Sequence, residues 1–512
     1  MGKGKSDKVV FKPYAPDQLT LLPYSLEELV PQGHPVRVVQ QVIDQVDTKP
    51  INRKYKGGGA SSYHPRLLLK VLVYGYLTNI YSSRKLEDQV KQNIHFMWLC
   101  GMAKPDHNTI NRFRNEKLSG ILKEIFSQIV LLLAEQGIVS LKEAVFTDGT
   151  KIESVANKYT FVWGKSIKNN KERIKAQLDE LWKYAQSVAA EELQDTAPLE
   201  YEQISPEKVK TTIAKINQVL EDKEDVNPKI RQKLNYAKKN WPENLAKYEH
   251  QEKLLAGRNS YSKTDTDATF MRMKEDHMLN GQLKPSYNFQ ISTQEQFILN
   301  YSLHQTTNDY QTLASHLEGY EALYQQKPKA IVADAGYGSD ENYSLLKAND
   351  IEAYIKYNTF DKEQKDGIKA FSNDTLYHNE EDNCLICPMG QKMRHIGDGR
   401  RITATGYVQL VSRYQASNCQ GCPMRGVCHQ GQGNRIAEVN HSLRKHKQET
   451  KERLNTEQGI KYRKQRPVDV EPVFGQIKHN HGFRRFLLKG MTKTEVEIGL
   501  LSIAHNLRKW KA

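Results

Sequence analysis

The stretch Ala330-Ile-Val-Ala-Asp334-Ala-Gly336-Tyr337 decides how the chain is interpreted, because an apolar, strand-like run ends there on a carboxylate. A second run, Ala144-Val-Phe-Thr-Asp148-Gly149, has the same form. A third acid, Glu471, opens a predicted helix that runs to Lys478. Two carboxylates on strands and one on a helix can converge on a pair of divalent ions, and such a pair can drive attack on a phosphodiester. The three acids are therefore candidate metal ligands.

The surroundings of these acids resemble those in the DDE transposases of bacterial insertion sequences. The segment from Asp334 to Tyr337 is similar to the family's second-acid motif, in which an Asp stands one residue before Gly-Tyr. The order Tyr462, Arg466, Glu471, Lys478 is similar to the third motif, and the six residues between Glu and Lys match it. The gaps from Tyr to Arg and from Arg to Glu are each one residue longer than usual. The resemblance extends to the N-terminal region and covers most of the chain.

The resemblance implies a transposase that binds the terminal inverted repeats of its insertion sequence and catalyses metal-dependent DNA cleavage and strand transfer. The implied partners are double-stranded DNA, both element ends and target, and a second copy of the chain in a paired-end complex. The residues given catalytic roles are Asp148, Asp334, Glu471, Lys478, Tyr462 and Arg466. The first three would hold two Mg²⁺ or Mn²⁺ ions, and the others would contact DNA. The alternative is a non-catalytic, sequence-specific DNA-binding protein derived from a transposase.

Length and charge agree with a polyanionic partner. The chain has 512 residues, too many for one ordinary domain, and a formal net charge of +15. From His441 to Ala512, 17 Lys and Arg stand against 7 Asp and Glu, so the segment that holds Glu471 carries +10. No apolar run reaches the roughly 18 residues that span a membrane, and the N-terminus lacks an apolar signal core. We therefore expect a cytoplasmic, nucleoid-associated protein with no membrane partner.

The periodicity of apolar residues predicts a multidomain α+β protein with a helical N-terminal domain. The resemblance makes its α/β catalytic core RNase H-like, interrupted by a charged helical insertion and a Cys-rich, zinc-binding insertion. A second core strand is expected at Lys158–Trp163, and two or three long, solvated helices are expected in the first insertion. The predicted units are a DNA-end-binding domain (1–137), three parts of the core (138–164, 259–371 and 440–512, the last with the Glu471 helix), the charged insertion (165–258) and the Cys-rich insertion (372–439).

The N-terminal domain contains a predicted helix-turn-helix. Its two segments, Arg84 to Leu99 and Asp106 to Leu118, are joined by a turn that contains Gly101. Asp106 is predicted to cap the second segment, whose side chains suit phosphates and base edges. An amphipathic helix with a solvated basic face explains the pattern equally well, and the resemblance favours DNA-end binding. The candidate DNA-binding residues are Asn108, Thr109, Asn111, Arg112, Arg114 and Lys117.

Five of the six cysteines lie between Ser372 and Val439. Two Cys-x-x-Cys knuckles each supply a pair of thiolates at tetrahedral bite distance, which predicts structural Zn²⁺. An iron–sulfur site uses similar ligands and stays an alternative. Disulfides are disfavoured in a reducing cytoplasm, and five cysteines would leave one unpaired. The candidate ligands, four of which would bind the metal, are Cys384, Cys387, Cys419, Cys422 and Cys428.

Four other acids are alternative candidates for the metal-ligand roles. Asp309 and Asp340 each precede a predicted helix, and capping of those helices is the commoner role for an acid in that position. Asp265 and Asp267 precede a predicted strand, and capping explains Asp267 least well. We therefore assign no catalytic role to these four.

Overall fold

A computed structural model of the chain describes residues 25–55, 62–188, 204–221, 223, 226–273, 281–367 and 371–511. The segment before Ser25, part of the predicted 1–137 unit, lies outside the described residues. No helix in the described ranges is both long and apolar enough to cross a membrane. The described chain is a mixed α/β structure with helices and several sheets.

Helices build the N-terminal region, and their apolar faces pack together. Within the described residues they are α1 (Leu26–Leu29), α2 (Pro35–Gln45), α3 (Lys49–Asn52), α4 (Pro65–Leu77), α5 (Ser83–Gln92), α6 (Ile94–Cys100), α7 (His107–Arg112) and α8 (Leu122–Glu135). Every residue of α4 from Leu68 to Leu77 is buried, as its nearly continuous apolar sequence predicts. A π-helical turn, Phe113–Lys117, follows α7 directly.

The predicted helix-turn-helix is divided into shorter pieces. The first segment is two helices, because Asn93 leaves helical geometry and its side chain caps α6 by accepting the His95 backbone N–H. Helix α6 ends at Gly101, whose φ of 54° is a left-handed conformation that glycine adopts without steric cost. Asp106 accepts the Thr109 backbone N–H at 2.9 Å, which confirms the predicted cap of α7. The second segment is α7 and the π-helical turn rather than one α-helix.

Strands and helices then alternate. Their bounds are β1 (Val145–Glu153), β2 (Phe161–Trp163), α9 (Gly164–Val188), α10 (Pro206–Glu221), α11 (Pro228–Leu255), β3 (Ser260–Ser262), β4 (Thr269–Arg272), β5 (Leu283–Gln294), β6 (Phe297–His304), α12 (Leu313–Tyr324), β7 (Ala330–Ala333), α13 (Asp340–Ala348) and β8 (Glu352–Ile355). The prediction of a core strand at Lys158–Trp163 was wrong. The strand covers Phe161–Trp163 only, and it pairs with β3 in a separate two-stranded sheet.

The main sheet runs β6–β5–β1–β7–β8. Strand β4 pairs with the first part of β5, on the same side where β6 pairs with the rest. Strand β1 is antiparallel to β5 and parallel to β7, which is parallel to β8. Phe146 of β1 lies beside Val332 of β7, so the residue after β7 comes next to the middle of β1. This register brings Asp334 towards Asp148.

The charged insertion contains α9, α10 and α11 in its described part. These helices enclose their own hydrophobic cluster, in which Trp182 and Trp241 are buried. Their outer faces are charged, with ion pairs such as Lys171–Glu252 at 2.6 Å and Lys233–Glu180 at 2.5 Å. An amphipathic helix needs a partner for its apolar stripe, and three such helices supply it to one another.

A second sheet carries the cysteine knuckles. After α14 (Phe360–Asp366) its strands, among the described residues, are β9 (Tyr377–Asn379), β10 (Cys384–Ile386), β11 (Lys392–Ile402), β12 (Val408–Ala416) and β13 (Ile436–Val439). They pair in the order β13–β12–β11–β10–β9 around a small core that includes Leu385, Met393 and Tyr414. Strands β11 and β12 form a long hairpin.

The tip of that hairpin docks on the start of α13. Asp340 is buried there and accepts hydrogen bonds from the Tyr407 hydroxyl at 3.3 Å and the Ser442 hydroxyl at 2.8 Å. The prediction that Asp340 caps the helix was wrong, because Ser339 is the cap and accepts the Asn342 backbone N–H. Asp340 instead ties the Cys-rich insertion to the main sheet region.

The C-terminal segment closes the structure. It contains α15 (His441–Leu454), α16 (Glu457–Asp469), α17 (Glu471–Gly475), a π-helical turn (Gln476–Asn480) and α18 (Met491–Lys511). Helix α18 packs against α4, α8 and β6, so it lies between the N-terminal helices and the main sheet. One hydrophobic core therefore extends through the N-terminal helices, the main sheet and the C-terminal helices.

Candidate active site

Asp148 lies inside β1, on a face of the sheet that the C-terminal helices cover. Its side chain is only 7% exposed. One carboxylate oxygen, Oδ1, accepts the backbone N–H of Gly149 at 2.7 Å. Alternate residues of a strand face the same side, and Phe146, two residues earlier, packs edge-on against Tyr462 of α16. The carboxylate therefore points towards α16.

Asp334 follows β7 directly. Its Oδ1 accepts the backbone N–H of Gly336 at 2.8 Å, which caps the short 3₁₀ turn Ala335–Tyr337. This explains locally why an Asp stands before Ala-Gly-Tyr: the carboxylate ends the strand and starts the turn. Its side chain is 39% exposed, and its other oxygen, Oδ2, lies 3.7 Å from Arg466 Nη2.

Glu471 is the first residue of α17 and is 59% exposed. The helix is held by Val473 and Phe474, which are buried, and Phe474 packs edge-on against Phe289 of β5. Just before it, buried Asp469 accepts a hydrogen bond from the Thr293 hydroxyl at 2.6 Å, and burial raises the pKa of that carboxyl. These contacts fix the backbone on the sheet and leave the Glu471 side chain at the edge of the site.

The guanidinium of Arg466 joins the three acids. Its Nη2 lies 2.9 Å from Asp148 Oδ2 and 3.7 Å from Asp334 Oδ2, and its Nη1 lies 3.6 Å from Glu471 Oε1. The three carboxylates are far apart in sequence, yet each is within ion-pair distance of one cation. The Asp148 contact is also a hydrogen bond, whereas the other two are looser ion pairs.

The remaining residues of the third motif face inward. The ring of Tyr462 packs edge-on against Tyr354 at 4.9 Å as well as against Phe146 at 6.0 Å. Lys478 is buried, with 5% exposure, in the π-helical turn after α17. Lys478 follows buried Phe474 by four residues, so it lies on the face of this segment that packs against the protein.

A polar network on the opposite face of the sheet supports the site, and sequence reasoning missed it. Gln290 of β5 stands opposite Gly149 and accepts a hydrogen bond from the Tyr337 hydroxyl. Its amide nitrogen donates to Asp309 Oδ1 at 3.0 Å, and Asn288 donates to the same oxygen at 2.7 Å. The prediction that Asp309 caps a helix was wrong. Burial, with the nearby carboxylates, raises the pKa of Tyr337 well above its usual value, so its hydroxyl stays protonated.

The hydrogen bonds of Asp265 and Asp267 give both residues a structural role. Asp265 is buried and accepts hydrogen bonds from the Ser154 hydroxyl at 2.6 Å and from the Tyr287 hydroxyl at 2.9 Å. Asp267 accepts the backbone N–H of Met491 at 2.8 Å. Asp265 also accepts the backbone N–H of Gly490 at 3.1 Å, so both carboxylates anchor the start of α18.

Gly149 is the tightest point of the network. A Cβ at this position would lie 2.1 Å from the side-chain nitrogen of Gln290. We expect Gly149→Ala to lower the free energy of unfolding by about 1–3 kcal/mol, because Gln290 must leave its hydrogen bonds. Urea denaturation measures the change. Gly475→Ala is the matched control: its Cβ meets nothing within 4 Å, and alanine favours a helix, so the free energy of unfolding should not fall. Equal effects of the two substitutions would contradict this account.

The candidate DNA-binding residues divide into two groups. Arg114 is buried and donates to the Tyr81 carbonyl at 2.8 Å and to Asn111 Oδ1 at 3.1 Å. Lys117 donates to the Lys54 carbonyl at 2.7 Å. Side chains of these three candidates thus have partners inside the protein. The candidates that stay exposed or half-exposed along α7 are Asn108, Thr109 and Arg112.

The five cysteines of the second sheet are free thiols. Buried Arg435 connects two of them, since its backbone N–H donates to Cys419 Sγ at 3.3 Å and its Nη1 to Cys428 Sγ at 2.9 Å. Cys384 begins β10 and is buried, and Cys387 packs against the same small core. The thiols suit zinc in chemistry. Across the described ranges, however, no three His, Cys, Asp or Glu side chains lie close enough to share a metal ion.

The side chains of Asp148, Asp334 and Glu471 are likewise not close enough to one another to share a metal ion. Their contacts with Arg466 explain this spacing. A guanidinium is several ångströms wide, and Asp148, Asp334 and Glu471 contact different parts of it, so their oxygens are spread around it. Carboxylates are the hard ligands that Mg²⁺ and Mn²⁺ prefer, and these three already surround one cation. The donor set therefore fits a divalent ion in chemistry and charge. The spacing of the three carboxylates fits a divalent ion only after the exposed side chains of Asp334 and Glu471 turn inward.

The described chain is thus a mixed α/β protein that gathers three carboxylates around one arginine. A family model described as "Transposase DDE domain" matches residues 386–510, and one described as "Transposase domain (DUF772)" matches residues 24–116. The chain matches neither a protein of curated function nor a solved structure. The two family matches support a DDE transposase of the insertion-sequence type. That family transposes DNA with a nuclease activity and generally uses divalent metal ions.

The two matched ranges include only some of the residues of the candidate sites. The DDE match includes α16 and α17, with Arg466 and Glu471, whereas Asp148 and Asp334 lie outside it. The other match includes α7 and most of the π-helical turn, with the exposed polar residues near Asn108. Geometry alone therefore connects the two strand acids to the matched helix.

Proposed function

We propose that the protein binds the terminal inverted repeats of its own insertion sequence and catalyses metal-dependent DNA cleavage and strand transfer. The observation that carries this proposal is the convergence of Asp148, Asp334 and Glu471 on Arg466, all within 4 Å of its guanidinium. Asp469, another acid near the sheet, is held instead by a hydroxyl and a backbone N–H group. Three carboxylates gathered at one point match the charge that phosphoryl transfer requires.

The strand arrangement supports an RNase H-like core. In the order β6–β5–β1–β7–β8, an antiparallel part meets a parallel part at β1, and β7 continues the parallel part into β8. Asp148 lies on the central strand of this sheet, and Asp334 follows its parallel neighbour. That is the arrangement the family resemblance implies for its first two acids.

The proposed chemistry proceeds in two steps at one site. Water attacks the phosphodiester at the element end, breaks its P–O3′ bond and frees a 3′-hydroxyl. That hydroxyl then attacks a phosphodiester of target DNA, so a new P–O bond joins the element to the target and the target strand's own 3′-hydroxyl is released. Two Mg²⁺ or Mn²⁺ ions, when bound, would activate the attacking oxygen and stabilise the leaving oxygen. Asp148, Asp334 and Glu471 would hold them through carboxylate oxygens. The fork of Arg466 matches a phosphate, and Tyr462, packed against Phe146 and Tyr354, would hold the helix that positions it.

DNA binding is proposed for the N-terminal helices and the basic C-terminal segment. Asn108, Thr109 and Arg112 are candidates with exposed or half-exposed side chains, and all three lie on α7. The net charge of +10 between His441 and Ala512 extends the basic surface to the helix that carries Glu471. Joining two element ends in one reaction requires both ends together, so we propose a homodimer in the paired-end complex.

Structural zinc is proposed for the second sheet. The support is the pair of knuckles and Arg435, which contacts Cys419 and Cys428. We expect purified protein to carry zinc, and Cys384→Ser with Cys387→Ser to lose it and to unfold at a lower temperature. Elemental analysis measures the metal. A stable double variant with unchanged metal content would remove the proposal, and iron in place of zinc would favour the iron–sulfur alternative.

The test of the function uses purified protein, Mg²⁺ and linear DNA that carries the sequence flanking its own gene. Wild type is compared with Asp334→Ala, whose change lies at the exposed turn after β7. Discrete cuts at the element ends by wild type alone are expected. Specific binding without cutting, in Mg²⁺ and in Mn²⁺, would instead establish the non-catalytic DNA-binding protein. Product analysis also separates strand transfer from simple hydrolysis.

A further inference from the structure

The position of Arg466 indicates a role other than DNA contact. Its guanidinium lies among the three carboxylates rather than on the outer surface, and its side chain is 15% exposed. The shortest contact is to Asp148, the most enclosed of the acids. A residue placed only to hold DNA phosphate would point its charge outward, so this inward position needs its own explanation.

The explanation is electrostatic. Three carboxylates at one site repel one another, and the repulsion is strongest for Asp148, which is largely removed from water. Arg466 supplies one positive charge at the point where all three meet. A divalent cation would be attracted by the same three carboxylates. The guanidinium and the metal are therefore competitors for one set of oxygens.

The backbone beneath Arg466 allows its side chain to exchange partners without moving the helix. Asp469, three residues later, is fixed to the sheet by Thr293 at 2.6 Å and by the Gln296 backbone N–H at 3.1 Å. Val470 is fully buried at the junction of α16 and α17. Against this anchored backbone, the long arginine side chain and the exposed Glu471 are the parts that can turn.

We propose that Arg466 is the internal counter-ion of Asp148, Asp334 and Glu471 before metal binds, and that it competes with divalent cations for them. The proposal rests on the proposed function, because it takes the three acids as the metal site. Removing the guanidinium leaves three uncompensated carboxylates. The affinity for a divalent ion should then rise, and the metal-free protein should become less stable, with added metal restoring that stability.

The experiment measures Mn²⁺ binding to DNA-free protein by the loss of the free-ion electron paramagnetic resonance signal. Arg466→Met keeps the apolar stem and removes the charge, and Arg466→Lys keeps the charge but loses the fork. Lys464→Met, an exposed residue of the same helix, is the matched control for net charge. Thermal unfolding with and without Mn²⁺ is recorded for each variant.

We expect Arg466→Met to bind Mn²⁺ at least about fivefold more tightly than wild type, and Lys464→Met to change affinity by less than about twofold. The rise in unfolding temperature on adding Mn²⁺ should be larger for Arg466→Met than for wild type. The Mn²⁺ affinity of Arg466→Lys and its rise in unfolding temperature should lie between those of wild type and Arg466→Met. If Arg466→Met does not fold, the comparison of Arg466→Lys with wild type tests the proposal. Equal or weaker Mn²⁺ binding by the Arg466 variants, with wild-type cleavage intact, would overturn the counter-ion role alone. Absence of Mn²⁺ binding and of cleavage in wild type would overturn the proposed function as well.

Discussion

Asp148→Asn is expected to reduce DNA cleavage by at least about a thousandfold, which corresponds to about 4 kcal/mol of transition-state free energy. The amide keeps the size of the side chain, and its oxygen can still accept the Gly149 backbone N–H. It carries no charge, so it cannot hold a divalent ion as a carboxylate does, nor can it form an ion pair with Arg466. Cleavage of linear DNA with element ends, measured in Mg²⁺ under single-turnover conditions, gives the rate.

Two further measurements separate chemistry from folding. Binding of the same DNA, measured in Ca²⁺ or without metal, should stay within about threefold of wild type, because Asp148 lies away from the N-terminal helices. Loss of the charged hydrogen bond to Arg466 should lower the free energy of unfolding by about 1.5–3 kcal/mol, so the assay is run well below the unfolding temperature.

Asp469→Asn is the matched control for Asp148→Asn. Asp469 is also a buried acid near the site, but it binds Thr293 and the Gln296 backbone instead of Arg466. Burial already raises the pKa of its carboxyl, so a neutral side chain should be accepted there with little change in cleavage. If Asp148→Asn cleaved as fast as Asp469→Asn, Asp148 would not be a catalytic acid.

The parts of the site that could be predicted from sequence are those set by local structure. Asp334 stands at the end of an apolar strand, and its carboxylate caps the turn Ala335–Tyr337 by accepting the Gly336 backbone N–H, so a few consecutive residues contain the information. Asp106 is similar, because a cap and its helix are neighbours in sequence. The Cys-x-x-Cys pairs were visible for the same reason.

The parts that could not be predicted depend on register between distant strands and helices. Gln290 supports the site only because β5 places it opposite Gly149, and no pattern in either strand states that pairing. Lys478 and Arg114 were predicted to contact DNA because they are basic. Both are buried, each four residues after a buried apolar residue, Phe474 and Ile110. The contacts of Arg466 with three separate acids required the whole fold.

The shared core also changes how the N-terminal helices are understood. Helix α18 fills the space between α4 and β6, so the predicted DNA-end-binding unit is packed on the core and does not stand apart from it. At that junction Glu497 of α18 is wholly buried, and Tyr76 of α4 donates to it at 3.4 Å. The backbone N–H groups of Leu487 and Leu488 donate to its other oxygen, at 3.0 and 2.9 Å.

Burial raises the pKa of Glu497 to about 7, although the charge of Arg114 and the hydrogen bonds from the backbone act in the opposite direction. An unfolded glutamate has a pKa near 4.5. Between these values the folded protein binds a proton that the unfolded chain has lost, so stability falls as pH rises. The contribution is fully present below about pH 4.5 and is lost by about pH 7. The difference in pKa corresponds to about 3 kcal/mol in the free energy of unfolding.

Glu497→Gln should therefore become progressively more stable than wild type as the pH rises from 5 to 8, by about 3 kcal/mol over that range. The wild-type curve alone does not isolate this group. Burial lowers the pKa of His505, on the same helix, to about 4, and this histidine costs stability as pH falls below its unfolded value near 6.5. The difference between wild type and Glu497→Gln removes the histidine contribution, because both proteins share it. Urea denaturation at each pH gives the two curves.

Glu318→Gln, a change at an exposed acid of α12, is the control, and its difference from wild type should not vary with pH over this range. The location of the effect can also be checked. Ionised Glu497 lies between α4 and α18. The protection of buried α4 amides, measured against the intrinsic exchange rate at each pH, should therefore fall as the pH rises to 8 in wild type and not in Glu497→Gln. A constant difference between wild type and Glu497→Gln from pH 5 to 8 would mean that Glu497 keeps an ordinary pKa. The junction between the N-terminal helices and the core would then not respond to pH through this residue.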